Sequence, residues 1–517
     1  MRFLRSRLFV LTVFAAVIAF AGLNIRELAS GDETRVAGII AGMTLSGDMV
    51  TPKLNGHAFL EYPPLYYQCG ALFFRLFGFT DAAAKLPSAI CAFGAALLVF
   101  AFARRIKLSD EAALAAGVMF LTGAQVFGNG RKCMVDMMLA FFVLLAIYSF
   151  HSLIDAKSLR AKAGFFLLYS AGLAGGFMTK GAIGFAFPLA GLGVWLVADD
   201  VFFAKRFTFV RYLLLGLGIL TALFPILWWL RLLYLAGGEE YLRIVLIVNG
   251  FGRFSGTQGD HVKSWWFYLT RLPESFQPWL IFFLAALVHA AYLLKKKKLA
   301  REILPLVCES VVPFVMLSCA AAKRQVYLLP IFSAWAVLGA WFMIDCRELW
   351  LAPLKRFVPW IIRYWRIATA AFAAVALIVF AVIAPGWAKL IPIASLVVLA
   401  AALLRTPARA ALGLLAFALL FVSFDAVAAR WNRRESLREL FEECERLERE
   451  GYRITLAAPA GERIKGAAVF YMKKQLPEVD ANIPPEPNEK RIIRSKDSIP
   501  GRGFADRHHL RGAADAN

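Results

Sequence analysis

The sequence predicts an α-helical polytopic membrane protein of about thirteen transmembrane helices, with a small α/β soluble domain near its C-terminal end. Three observations carry that prediction. The 517 residues are 60% hydrophobic and only 18% charged, where soluble domains have about a quarter of their residues charged. Apolar runs of about 20 residues, the length that crosses a bilayer as a helix, recur along most of the chain. The basic residues gather in short loops between those runs. The short alternating segments of a membrane β-barrel are not seen.

The spans follow in order. The first is Leu8–Leu23, behind a basic start (MRFLRSR) with no convincing small-residue cleavage signal, so it reads as an uncleaved span. A polar loop, 24–85, precedes span two at Leu86–Ala103. Spans three to six are Ala112–Phe127, Met134–Leu153, Ala163–Met178 and Ala182–Val197, and span seven is Tyr212–Leu235. A second long loop, 236–277, leads to span eight at Pro278–Leu294. Spans nine and ten are Ile303–Ala320 and Val326–Ile344. Spans eleven to thirteen lie near Ile367–Ala384, Leu390–Leu404 and Ala408–Val427.

The loops Arg104 to Lys107, Lys157 to Lys162, Lys205 to Arg211, Lys295 to Arg301, Lys355 to Arg366 and Arg405 to Arg409 are all basic. The positive-inside rule makes them cytoplasmic and turns both long loops and the C-terminal domain outward. The net charge of +22, which in a soluble protein would suggest nucleic acid, here fits topology and anionic headgroups, and no nucleic-acid partner is expected. The seven cysteines include no CxxC pair, so neither a disulfide framework nor a zinc knuckle is indicated.

The domains are therefore expected as 1–429, transmembrane; 430–480, a small outward α/β domain; and 481–517, a Pro-rich, charged and disordered tail. Within the middle segment, ESLRELFEECERLERE has apolar residues at helical spacing and RITLAA alternates as a strand does. The segment holds no evident cluster of acids, bases or metal ligands, so it is expected to be dispensable for chemistry.

On the outward face, polar clusters collect at Asp32–Arg35, at Glu61-Tyr62-Pro63-Pro64, at Arg131 and Lys132 with Asp136, and at Thr179-Lys180-Gly181. Two more are Asn249–Trp266 and AAKRQVY from Ala321 to Tyr327. Cations for a phosphate, a carboxylate for acid–base work and interfacial aromatics are what a phosphorylated, lipid-anchored substrate requires.

The ordered motifs GDETR, SGDMVTPKLNG, FLEYPPLYY, LPSA, GRKCMVDMMLAFF, GFMTKGAIGFAFP, NGFGRF with HVKSWWFYL, and AAKRQVYLLP resemble the class C glycosyltransferases of the protein O-mannosyltransferase and aminoarabinose transferase superfamily. The resemblance runs from about Arg2 to Asp345 and is strongest to the bacterial branch. It implies the class C fold in the bacterial inner membrane. It also implies transfer of a sugar from a polyprenyl-phosphate carrier to lipid A, another glycolipid or a protein, at a site facing the periplasm.

By that resemblance Asp32 is the catalytic carboxylate, with Glu33 beside it. Arg35, Tyr62, Arg131, Lys180, Arg253, Lys323 and Arg324 contact the carrier phosphate and sugar, and Glu61 and His261 could hold a divalent metal ion. From pattern alone Asp32 reads as the N-cap of a helix, and the cations as snorkelling to headgroups. As a base, Asp32 would gain from partial burial that raises its pKa; toward an acceptor phosphate, already anionic, it would instead orient the acceptor or hold a metal. The aminoarabinose branch has Glu-Lys-Pro where this chain has Glu61-Tyr62-Pro63, so a charge is missing at Tyr62. A transporter or flippase of a lipid-linked sugar is the alternative. It would place polar groups near the bilayer midplane, in broken helices related by a repeat.

Overall fold

The computed structural model describes residues 6–251, 262–346, 371, 373–384, 386–403, 409–499 and 502–512. Arg253, His261 and the basic stretch 355–366 lie outside them. The first part of the chain forms α1 (Arg7–Phe20), α2 (Gly31–Ser46), a hairpin of β1 (Lys53–Leu54) and β2 (His57–Ala58), α3 (Leu65–Phe77) and α4 (Asp81–Arg105). There follow α5 (Asp110–Thr122), α6 (Ala124–Gly130), α7 (Asp136–Asp155), α8 (Leu159–Lys180), α9 (Ile183–Asp199) and α10 (Phe209–Arg243).

Among the described residues, six helices are long and apolar enough to cross a membrane, and α5 with α6, bent by 66°, makes up to a seventh. Shorter apolar helices add to these, among them Arg7–Phe20 and Leu280–Lys295. α4 is central, packed against α1, α5 and α7. Its buried face is built from Ala83, Ala84, Ala89, Ala92, Ala95, Ala96 and Ala103. In lipid there is no hydrophobic drive between helices, so such small residues hold them together by letting backbones approach.

The two ends of the bundle differ in chemistry. At one end the basic loops meet the helix termini: Arg105 pairs with Asp155 at 2.9 Å, Lys107 with Glu302 at 2.5 Å, and Arg301 and Arg211 with Asp199 at 2.6 and 2.5 Å. At the other end lie α2, the start of α7 and the end of α8.

The segment 24–85, expected as a loop, is therefore largely helical, because the two faces of α2 are both covered. Residues Glu33 to Ala41 are buried without interruption. Likewise the stretch after Leu235 is not loop: α10 continues to Arg243 through a kink at Gly238, whose φ of +67° favours glycine.

Beyond the long helix Arg409–Glu435 comes a helix Arg438–Arg449, a strand Arg453–Ala458, a helix Glu462–Met472 and strands Glu478–Asp480, Glu489–Ile499 and Arg502–Gly512. The strands form one sheet in the order 478–480, 453–458, 489–499, 502–512; the first two junctions are parallel and the last antiparallel. Phe441, Cys444, Ile454, Leu456, Ile464, Ala467 and Ile492 make a small separate core.

The strands Glu489–Ile499 and Arg502–Gly512 correct, for those residues, the expectation of disorder over 481–517. Glu489 to Ile492 pair with Arg453 to Leu456, and Arg491 is buried against Glu489 at 2.8 Å. Composition misled here because the charges of a Glu-x-Arg pair satisfy each other inside the sheet.

Candidate active site

α2 begins with a reciprocal cap. The Ser30 hydroxyl accepts from the Glu33 backbone N–H at 3.3 Å, as an N-cap does, and lies 3.1 Å from the Glu33 carboxylate, to which it donates. Asp32 is therefore not the cap. Its carboxylate, 29% exposed, is gripped on both oxygens: Arg35 donates to Oδ1 at 2.9 Å and Arg324 to Oδ2 at 2.6 Å.

Arg35 in turn lies 3.4 Å from Glu61 and 2.7 Å from Glu462, with its guanidinium over the Phe59 ring. Lys180 closes the other side. It pairs with Asp136 and stacks on the rings of Tyr62 and Tyr327, at 5.3 and 4.7 Å from their centres. Six separate stretches thus meet at one end of the bundle, five of them among the polar clusters recognised in the sequence.

The electrostatics correct one expectation. Burial alone would push the Asp32 carboxyl up, but Arg324, Arg35 and Lys180 outweigh it and hold the group below the ordinary carboxylate value. Asp32 is a fixed anion, not a base tuned toward neutrality. Burial pushes the Tyr62 phenol up to about 12, so it is a neutral hydrogen-bonding group at every working pH.

Three expected site residues stand elsewhere. Glu33, one position and so about 100° around the helix from Asp32, is wholly buried and takes both guanidinium nitrogens of Arg26, at 2.7 and 2.8 Å. Arg131 is 2% exposed; it pairs with Asp425 at 2.9 Å and donates to the Ile18 and Ala21 carbonyls, both at 2.7 Å. Lys323, 3% exposed, donates to the carbonyls of Lys263 and Ala320. Each of these two cations found a carboxylate or a carbonyl inside the protein, which an interior charge needs.

Asp136, Tyr327 and Glu462 join the site without having been singled out for it. For Asp136 the signal was its place in the motif before a long apolar run; for Glu462 the sequence carries none.

Of the two expected metal ligands, His261 lies outside the described residues and Glu61 lies 3.4 Å from the Arg35 guanidinium. Among the described residues no group of three His, Cys, Asp or Glu side chains could hold a metal.

Comparison with known proteins agrees with the motif pattern. The family model described as dolichyl-phosphate-mannose-protein mannosyltransferase matches residues 8–236. The undecaprenyl phosphate-α-4-amino-4-deoxy-L-arabinose arabinosyl transferase 2 of Proteus mirabilis is 31% identical over 344 residues, 66% of this chain and 60% of that protein. The corresponding transferase of Edwardsiella ictaluri is 30% identical over 336 residues, 65% of this chain and 59% of that protein. Over these stretches the chain is similar to the protein O-mannosyltransferase and aminoarabinose transferase superfamily. It spans about three-fifths of the length of the curated relatives it matches.

Crystal structures of ArnT from Cupriavidus metallidurans, apo and bound to undecaprenyl phosphate, superpose with a TM-score of 0.70, covering 92% of this chain and 86% of that one at 21% identity. That likeness establishes the fold as that of a multi-pass membrane protein.

Proposed function

We propose that this protein is a glycosyltransferase of the protein O-mannosyltransferase and aminoarabinose transferase superfamily in the bacterial inner membrane. In this reading it takes a sugar, an aminopentose by the names of its relatives, from a polyprenyl-phosphate carrier and passes it to a lipid A, other glycolipid or protein acceptor at the periplasmic face. The observation that carries this reading is the Asp32 carboxylate held between two guanidiniums beside the Lys180 ammonium.

Transfer breaks the bond between the anomeric carbon and the carrier phosphate oxygen and forms one to the acceptor oxygen. The carrier phosphate leaves with an added negative charge, which Arg35, Arg324 and Lys180 can stabilise. The anomeric carbon becomes electron-deficient on the way, and an ionised carboxylate stabilises that charge. Asp32, held below its ordinary pKa, is a poor proton acceptor. That favours an acceptor needing no base, a phosphate such as lipid A presents, over a hydroxyl. The charge missing at Tyr62 is supplied by Lys180, whose ammonium lies 5.3 Å from the Tyr62 ring centre.

Purified protein given a polyprenyl-phosphate aminopentose and lipid A is expected to release free carrier phosphate only when the acceptor is present. Movement of intact donor across vesicles without cleavage would sink the reading in favour of a transporter. The gathering of polar groups at one end of the bundle, and not at its middle, supports the enzyme.

Two further expectations belong to this reading. Arg324→Ala, which removes a charge-assisted contact worth roughly 1.5–3 kcal/mol, should weaken carrier-phosphate binding by about ten- to a hundred-fold. Lys323→Ala should leave that affinity unchanged, because its ammonium is committed to backbone carbonyls. Equal losses in the two, measured by carrier-lipid binding, would show that both touch the phosphate.

For topology we place thirteen spans with the N-terminus inside and the C-terminal domain outside. A periplasm-dependent reporter fused after Arg430 should be active. A cytoplasmic signal there would overturn both the orientation and the periplasmic site.

A further inference from the structure

We infer that Glu462, in the C-terminal domain, is a positioning residue for the site, aiming the Arg35 guanidinium so that Asp32 and Glu61 share one of its nitrogens. The inference rests on the reading of Asp32, Arg35 and Arg324 as the donor site. It also revises the expectation that the C-terminal domain is dispensable for chemistry.

Arg35 Nη1 donates to Glu462 at 2.7 Å, while Nη2 lies 2.9 Å from Asp32 and 3.4 Å from Glu61. A guanidinium is planar with its donors in a fixed fork. Fixing the direction of Nη1 therefore fixes Nη2. With Glu462 gone, the fork is free to turn and close with both nitrogens on Asp32 or on Glu61, the geometry that arginine–carboxylate pairs favour. Such a closure would remove the arrangement in which Arg35 takes one Asp32 oxygen and Arg324 the other.

The domain is fastened so that Glu462 can do this. Helix Glu462–Met472 crosses α2 backbone to backbone: a Cβ on Gly38 would come within 2.4 Å of the Gly466 Cα, and one on Gly466 within 2.3 Å of the Thr34 carbonyl oxygen. Gly38 is three residues from Arg35 and Gly466 four from Glu462, so on each helix the charge and the glycine share a face. One turn further, Phe470 meets Phe74 with ring centres 5.8 Å apart. Asn55 exchanges two hydrogen bonds with the Leu476 backbone, at 2.9 and 3.0 Å, and Arg438 pairs with Asp81. The Glu462 side chain is itself 54% exposed, so its ion pair contributes little to the docking and its removal leaves the domain in place.

The test is Glu462→Gln, alone and combined with Arg35→Lys. In the otherwise normal protein, Glu462→Gln is expected to lower kcat by about ten-fold, as a misdirected site group does, with donor KM changed by less than about two-fold. In the Arg35→Lys background, where there is no fork to aim, the same change should have no further effect. A purely structural role would act equally in both backgrounds, so equal losses overturn the inference, as does an unchanged kcat. A second measurement needs no substrate. An arginine-specific dicarbonyl reagent, read by peptide mass spectrometry, should label Arg35 several-fold faster in Glu462→Gln than in the parent, and an unchanged rate overturns the inference. A parent protein that cleaves no lipid-linked sugar would refute the proposed reaction, while the labelling rates still judge the positioning.

Discussion

Asp32→Asn is expected to yield a stable, carrier-binding protein whose turnover has fallen by about 10²–10³, the usual cost of removing one preorganised electrostatic group. Asn keeps the shape and one acceptor oxygen but not the charge that stands between Arg35 and Arg324. Stability should change little. The cap of α2 is Ser30, and pairs as exposed as these contribute roughly 0–1 kcal/mol.

The pH dependence follows from the same contacts. A carboxylate whose folded pKa is depressed contributes its stabilisation above its unfolded value, near 3.9, and loses it as pH falls through the lower folded value. Asp32 should therefore stay ionised from pH 5 to 8 and impose no acidic limb on kcat there. An acidic limb in that range that vanishes in Asp32→Asn would show that Asp32 is a tuned base after all. Near-normal turnover in the mutant would remove it from the chemistry.

Glu33→Gln, one residue along, is expected to fail in the opposite way. The Glu33 carboxylate is inaccessible and forks onto Arg26, which also donates to the Arg131 carbonyl at 3.0 Å. Arg26 further neighbours Asp425, at 3.8 Å, the partner of Arg131. Neutralising one member of such a buried pair leaves the other charge uncompensated and costs about 3–5 kcal/mol. The expected result is a lower yield of inserted protein and a clearly lowered midpoint of thermal inactivation in detergent, with kcat per folded molecule near the parent value. A normally stable Glu33→Gln with lost turnover would restore the direct role that its place beside Asp32 suggested.

The contrast between these neighbours shows where sequence reading stops. Ser30-Gly31-Asp32-Glu33 contains the S-x-x-E pattern that marks a capping box, so Ser30 as the cap and Glu33 as its partner were legible in principle. That Glu33 also takes Arg26 was not, because Arg26 enters from the stretch before the helix and only the packed bundle turns it inward. Arg131, Lys180, Lys323 and Arg324 are alike as basic residues beside apolar runs. Two of them reached the site and two were consumed by interior carboxylates and carbonyls.

By itself the sequence determined the membrane class, through the length of its apolar runs and the placement of its basic loops. Its motif order pointed to the superfamily it resembles, and it picked out the acidic stretch at Asp32 as the centre of the candidate site. Those properties are local: hydropathy over about 20 residues, the sign of a loop, a motif of a few positions. Only the tertiary structure decided which charges remain available, because the pairing of an ion in a low-dielectric interior depends on groups hundreds of positions away. Arg35 meets Glu462, and Arg131 meets Asp425. The strand Glu489–Ile499 inside a charged tail became visible for the same reason, once its buried arginine had a partner.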